Sequence, residues 1–153
     1  MAMTNSAAHG VDGFDPKDWP FYWMTQTVGR YLQRLERELK GDGLDVSRWR
    51  VLMAVGDQTV GVSELAELAI VKLPTMMKIV QRMEAEGFVR CEARQTDGRF
   101  TDVSLTAAGK QARERTLAIA GKLYEVAFSG MENPERDRLN ATLQGVFDRL
   151  GGG

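Results

Sequence analysis

Phe21, Met24, Val28, Leu32, Leu35 and Leu39 recur at steps of three and four residues. That spacing predicts one apolar stripe along a helix of about 20 residues. Pro20 suits its first turn, and Gly41 and Gly43 end it. Asp45 is placed to cap a second helix, with Trp49, Leu52, Met53 and Val55 inward. Gly56 and Gly61 bracket a break. Ser63 then starts a short helix with Leu65, Ala66, Leu68 and Ala69 apolar. Pro74 falls in the first turn of the next, whose stripe is Met76, Ile79, Val80 and Met83, and Gly87 ends it.

The period then drops to two. Val89, Cys91 and Ala93 alternate with Arg90, Glu92 and Arg94, and Thr101, Val103 and Leu105 alternate with Asp102 and Ser104. Between these runs stands Asp97-Gly98, a hairpin-turn dipeptide, so a two-stranded ribbon follows the fourth helix. Thr106 caps a long helix running to about Phe128, Asn133-Pro134 opens a last one, and Leu139, Leu143, Val146, Phe147 and Leu150 form its stripe.

Two short-linked helices followed by a β-hairpin make a winged helix-turn-helix, within a mainly α (α+β) chain. The pattern divides the chain into a flexible arm (1–15), a dimerisation helix (16–44), a winged helix-turn-helix unit (45–105) and C-terminal dimerisation helices (106–150). Gly151, Gly152 and Gly153 read as a frayed end. The outer helices carry more apolar surface than the small winged unit can cover, which predicts a homodimer.

Composition narrows the rest. With 153 residues, 43% apolar and 27% charged, the chain reads as one folded domain. The longest apolar run, Val51 to Val55, is far below the ~20 residues of a membrane span, and Met1 to Gly13 lacks the apolar core of a secretory signal. Cys91 has no disulfide partner, and with His9 it cannot form a structural zinc site, so no cofactor or metal and a cytoplasmic setting are expected. A Gly-rich phosphate loop, a Gly-x-Ser-x-Gly elbow and a paired His/Cys/Asp cluster are all missing, which argues against an enzyme.

Five segments in fixed order resemble the MarR family of bacterial transcription regulators. They are Leu44-Asp45-Val46-Ser47-Arg48-Trp49-Arg50-Val51-Leu52, Ser63-Glu64-Leu65-Ala66, Arg82-Met83-Glu84-Ala85-Glu86-Gly87-Phe88-Val89, Asp97-Gly98-Arg99 and Leu105-Thr106-Ala107-Ala108-Gly109. Met77 stands where the family often has Ser or Thr, and Cys91 where it commonly has Arg. The resemblance implies a dimer on double-stranded DNA and a ligand cleft where the dimer helices meet the winged unit. It also implies a wing whose Asp97 orients Arg99 for insertion into the minor groove.

The net charge of −1 gives no general warrant for DNA, but its distribution does. Lys72 to Arg99 holds six basic and four acidic residues, net +2, against −3 for the remainder. Pro74, Thr75, Met77, Lys78, Gln81 and Arg82 fall on the outer face of the fourth helix, opposite its apolar stripe. Lys and Arg can bind guanine edges, Gln adenine, and Met a thymine methyl. Arg94 is a candidate phosphate contact from the wing, and Ser63 is either a phosphate contact or a plain helix cap. A symmetric dimer would set its two reading helices about 34 Å apart on a pseudo-palindromic operator of about 16–20 base pairs.

Trp19, Phe21, Tyr22, Trp23, Tyr31 and Trp49 cluster around the first two helices, with Arg30 and Arg50 near in sequence. Trp23, Arg30, Trp49, Arg50 and Met53 are the candidate lining for a small aromatic or phenolic carboxylate that releases a repressor from DNA. Two alternatives stand beside this reading. One is a winged-helix module that binds only protein; the other is a redox-sensing regulator using Cys91.

Overall fold

The computed structural model describes residues 13–151. The N-terminal arm through residue 12, with His9, and Gly152 and Gly153 lie outside the described residues. Among the described residues six α-helices and three strands follow one another: α1 (Pro20–Lys40), α2 (Val46–Val55), β1 (Val60–Gly61), α3 (Val62–Leu68), α4 (Leu73–Ala85), β2 (Val89–Ala93), β3 (Thr101–Leu105), α5 (Ala107–Ala127) and α6 (Asn133–Leu150). The chain divides into two compact units, Met1–Ile119 and Ala120–Gly153, with α5 running through the boundary.

In the first unit the core is drawn from almost every element. Leu35 and Leu39 of α1, Val51, Leu52 and Val55 of α2, Leu65 of α3, Met76, Val80 and Met83 of α4, and Val103 of β3 are all buried. Asp45 caps α2 by accepting the Arg48 N–H at 2.9 Å. Pro20 stands at the start of α1, where its missing N–H costs no hydrogen bond. The upper part of the α1 stripe remains in solvent: Phe21 and Val28 are exposed.

Several elements differ from the sequence reading. The sheet has three strands, because Val60 pairs with Val103 and Gly61 with Asp102, antiparallel to β3. Two residues carry too little alternation to announce a strand. The wing turn is centred one residue later than the Asp-Gly dipeptide suggests. The Phe100 N–H bonds to the Asp97 carbonyl at 3.1 Å, making Gly98 and Arg99 the central pair inside a seven-residue loop. Gly98 is not among the positive-φ residues, so the mirror-image turn expected of a tight Asp-Gly hairpin is not formed. Gly61, not Ser63, caps α3, and Ser63 is its second residue. Glu132, not Asn133, caps α6, with a reciprocal capping box to Glu135. Leu68, expected inward, is exposed, and Ala93, expected inward on β2, is exposed too.

In the second unit, α6 has no buried residue. Leu139, Leu143, Phe147 and Leu150 are all exposed, Phe147 at 75%. A helix of this length gains little stability in water from propensity alone, so its apolar stripe lacks the cover that would hold it.

Candidate nucleic-acid interface

Helix α4 begins at Leu73 with Lys72 as its N-cap residue and no side-chain cap. The first-turn amides therefore have no side-chain acceptor of the helix's own, the usual arrangement where a phosphate is to be met. Burial of Met76, Val80 and Met83 fixes the rotation of the helix. It turns Pro74, Thr75, Met77, Lys78, Gln81 and Arg82 outward, and all six are exposed. Pro74, Thr75, Lys78, Ile79 and Arg82 line a shallow groove along this face. Lys78 makes no ion pair among the described residues, and Arg82 reaches only Glu86 at 3.9 Å. The two cations are thus available to a polyanion.

The wing projects Arg99 from the β2–β3 loop. Its backbone N–H donates to Asp97 Oδ1 at 3.1 Å, its Nε to Oδ1 at 3.0 Å and its Nη2 to Oδ2 at 2.7 Å. The same carboxylate shapes the turn and orients the guanidinium. Those bonds, the side-chain bond foremost, hold the Asp97 carboxyl below its ordinary pKa. Even so paired, the Arg99 side chain is 85% exposed. The tip presents a cation that is oriented and not covered.

Arg94 is differently placed. Its Nε and Nη2 donate to Asp102 Oδ1 at 3.1 and 2.9 Å, and its guanidinium stacks 5.0 Å from the Phe100 ring centroid. Nη2 lies so close over Gly61 that a Cβ there would stand 2.8 Å from it. The side chain thus closes the base of the wing hairpin and packs over Gly61 of β1. Ser63 is exposed in the first turn of α3, beside Arg94 and Phe100 in a small groove.

The five candidate ligand residues all lie in the first unit. Trp49 of α2 packs edge-on to Tyr31 of α1, ring centroids 6.2 Å apart. Its indole Nε1 is buried and has no hydrogen-bond partner among the described residues. Arg50 and Met53 are half-buried, and Arg30 is exposed. Trp23 is exposed and its indole donates to the Lys17 carbonyl at 2.7 Å. Trp19 and Phe21 pair with each other, 6.0 Å apart.

The sequence reading passed over two residues. Leu73 opens α4 on its exposed side; it sits just before the periodic stripe that drew attention. Arg113 of α5 lays its guanidinium against Gly56, and its Nε is buried without a partner among the described residues. Only the packing of α5 on the first unit reveals it.

Residues 42–99 match the sequence profile of the MarR family. The HTH-type transcriptional repressor IacR of Pseudomonas putida is 41% identical over 140 residues, spanning 91% of this chain and 84% of that protein. A MarR-family transcriptional regulator from Silicibacter pomeroyi superposes with a TM-score of 0.80 at 25% identity, covering 89% of this chain and 92% of that one. BpsR of Bordetella bronchiseptica, whose DNA binding is regulated by 6-hydroxynicotinic acid, shares the fold. Its TM-score is 0.76 at 18% identity, over 88% of this chain and 97% of its own.

Proposed function

The chain belongs to the MarR family of DNA-binding transcription regulators, and from that premise we propose that it is a homodimeric repressor released from its operator by a small aromatic carboxylate. Regulators of this family bind DNA and are not enzymes. The oriented, uncovered Arg99 at the wing tip carries the reading. A guanidinium fixed by Asp97 on a thin loop suits a narrow A·T-rich minor groove, while Thr75, Met77, Lys78, Gln81 and Arg82 face the adjacent major groove behind Pro74. Ser63 contributes a phosphate contact at the start of α3. Arg94 serves the interface chiefly by bracing the base of the wing hairpin through Asp102 of β3.

The bare stripes of α1 and α6 support the dimer, since a second copy is the simplest cover for both. The orphaned Trp49 N–H supports the ligand. An unpaired buried donor costs about 1–3 kcal/mol, and a carboxylate or phenol oxygen would satisfy it. Arg50, Met53, Arg30 and Trp23 complete the proposed surroundings, with Arg113 as a further cation at the other end of α2. A ligand there weakens DNA binding only by preferring one spacing of the two reading heads.

The test is selection of duplexes from a random pool by the purified protein, with native mass spectrometry of the complex. A dimer on a pseudo-palindrome of about 16–20 base pairs is expected. Millimolar salicylate or 6-hydroxynicotinic acid is expected to weaken that complex. A monomer bound to a single half-site would refute the dimer, and indifference to every aromatic acid tried would refute the ligand.

A further inference from the structure

We infer that Leu73 and Met77 form an apolar reading edge that selects thymine, through its C5-methyl group, within the operator half-site; the inference rests on the assignment of α4 to the major groove. Leu73 is the first residue of α4, and Met77 lies one turn on along the same edge. Both remain in solvent, at 44% and 36% exposure, although the core beneath them is complete: Met76, Val80 and Met83 are buried. They are therefore not core residues left short of a neighbour.

The pair is continuous with the proposed DNA face. Pro74 and Thr75 follow Leu73, and Lys78 follows Met77. The cations Lys78 and Arg82 border the groove on the other flank of the helix. The helix thus offers charge and hydrogen-bonding groups on one flank and hydrocarbon with a thioether on the other. Neither apolar side chain suits phosphate or a polar base edge. In the major groove of B-form DNA the one apolar feature is the thymine methyl, and its position distinguishes T·A from A·T. The N-terminal half of a reading helix is the part that reaches base edges.

The experiment uses the full-length protein and a duplex it selects from a random pool. Each thymine of one half-site is replaced in turn by deoxyuridine, which removes only the methyl group. Wild-type affinity is expected to fall about fourfold at one or two positions, the factor that burial of one methyl group corresponds to. Leu73→Ala and Met77→Ala are expected to bind the thymine duplex more weakly by a similar factor and to show no further loss with uracil at the matching position. Leu73→Gln, whose fold is checked by thermal melting, should behave as Leu73→Ala does. Wild-type affinity indifferent to uracil everywhere would overturn the inference, as would a sensitivity that survives in the Leu73→Ala/Met77→Ala double variant. If the pool yields no bound duplex, the DNA-reading assignment fails first and this inference falls with it.

Discussion

Arg48 of α2 grips Glu86, just past the end of α4, through two parallel hydrogen bonds: Nε to Oε2 at 2.8 Å and Nη2 to Oε1 at 2.5 Å. The same guanidinium donates its Nη1 to Asp45, the cap of α2. One side chain therefore joins the start of α2 to the end of the helix proposed to read DNA. The fork geometry makes this a stronger link than a single surface ion pair.

The Arg48 hydrogen bond pulls the Glu86 pKa below its ordinary 4.5. A carboxylate whose pKa is lowered by folding stabilises the fold above its unfolded value and loses that contribution as pH falls through the folded one. Glu86→Gln is expected to cost about 1 kcal/mol near neutral pH, because both side chains keep some solvent contact. The difference from wild type should shrink below pH 4.5 in urea titrations followed at several pH values. A cost that stays constant down to acid pH would mean that the pair contributes nothing through charge.

Three helices of the first unit end in the same hydrogen-bond pattern. After α1, the Leu44 N–H bonds to the Leu39 carbonyl and Gly43 to Lys40; after α4, Phe88 bonds to Met83 and Gly87 to Glu84; after α3, Val71 bonds to Ala66 and Ile70 to Glu67. The motif needs a left-handed residue at its penultimate position. Gly43 and Gly87 supply it at φ 69° and 83°, but after α3 the residue is Ile70, at φ 55° and 91% exposed. A β-branched side chain is strained there and, so exposed, recovers little by packing. Ile70→Gly is expected to raise stability by about 1 kcal/mol in a urea melt. A loss of stability would show that the isoleucine side chain is held by contacts that outweigh the strain.

Cys91 sits half-buried on β2 against Glu84, whose carboxylate also accepts the Cys91 backbone N–H at 2.8 Å. Burial first, then the charge and hydrogen bond of Glu84, push the thiol up to about 11. Such a thiol carries little thiolate near neutrality, which argues against a redox-sensing role. Labelling by a disulfide reagent at pH 7 to 8 is expected to be far slower than for an unfolded control and to accelerate as the pH approaches 11. Rapid labelling at pH 7 would restore that alternative.

Much of the helical layout could be read from periodicity, because burial in α4 and in the last two turns of α1 falls on the stripes their sequences carry. Two of the five family-like segments meet in space. Thr106 Oγ1 donates to the Gly87 carbonyl at 2.6 Å and accepts the Gly109 N–H at 3.1 Å. A Cβ on Gly109 would stand 2.0 Å from the Phe88 carbonyl oxygen. The Gly87-Phe88 and Leu-Thr-x-x-Gly pieces are thus two sides of one close approach, which requires glycine at 109, whereas Gly87 is required by its left-handed φ of 83°. What could not be read was long-range and short. β1 is two residues whose partner is more than 40 positions away. Arg94 looked like a free cation because Asp102 and Phe100 face it only once the hairpin closes. Arg113 and the unpaired indole of Trp49 are visible only when helices pack.

The most direct test of the account is the affinity of the wild-type protein and of Arg99→Ala for the selected duplex, measured across a salt series. Wild-type binding is expected to fall steeply with salt, as counterion release requires. Arg99 is exposed, so its removal should leave the melting temperature unchanged while weakening binding on the order of tenfold, most strongly where the flanking minor groove is A·T-rich. Equal affinity of the two proteins on A·T-rich and G·C-rich flanks would contradict the wing's assigned role, and salt-independent binding would contradict the DNA-reading surface as a whole.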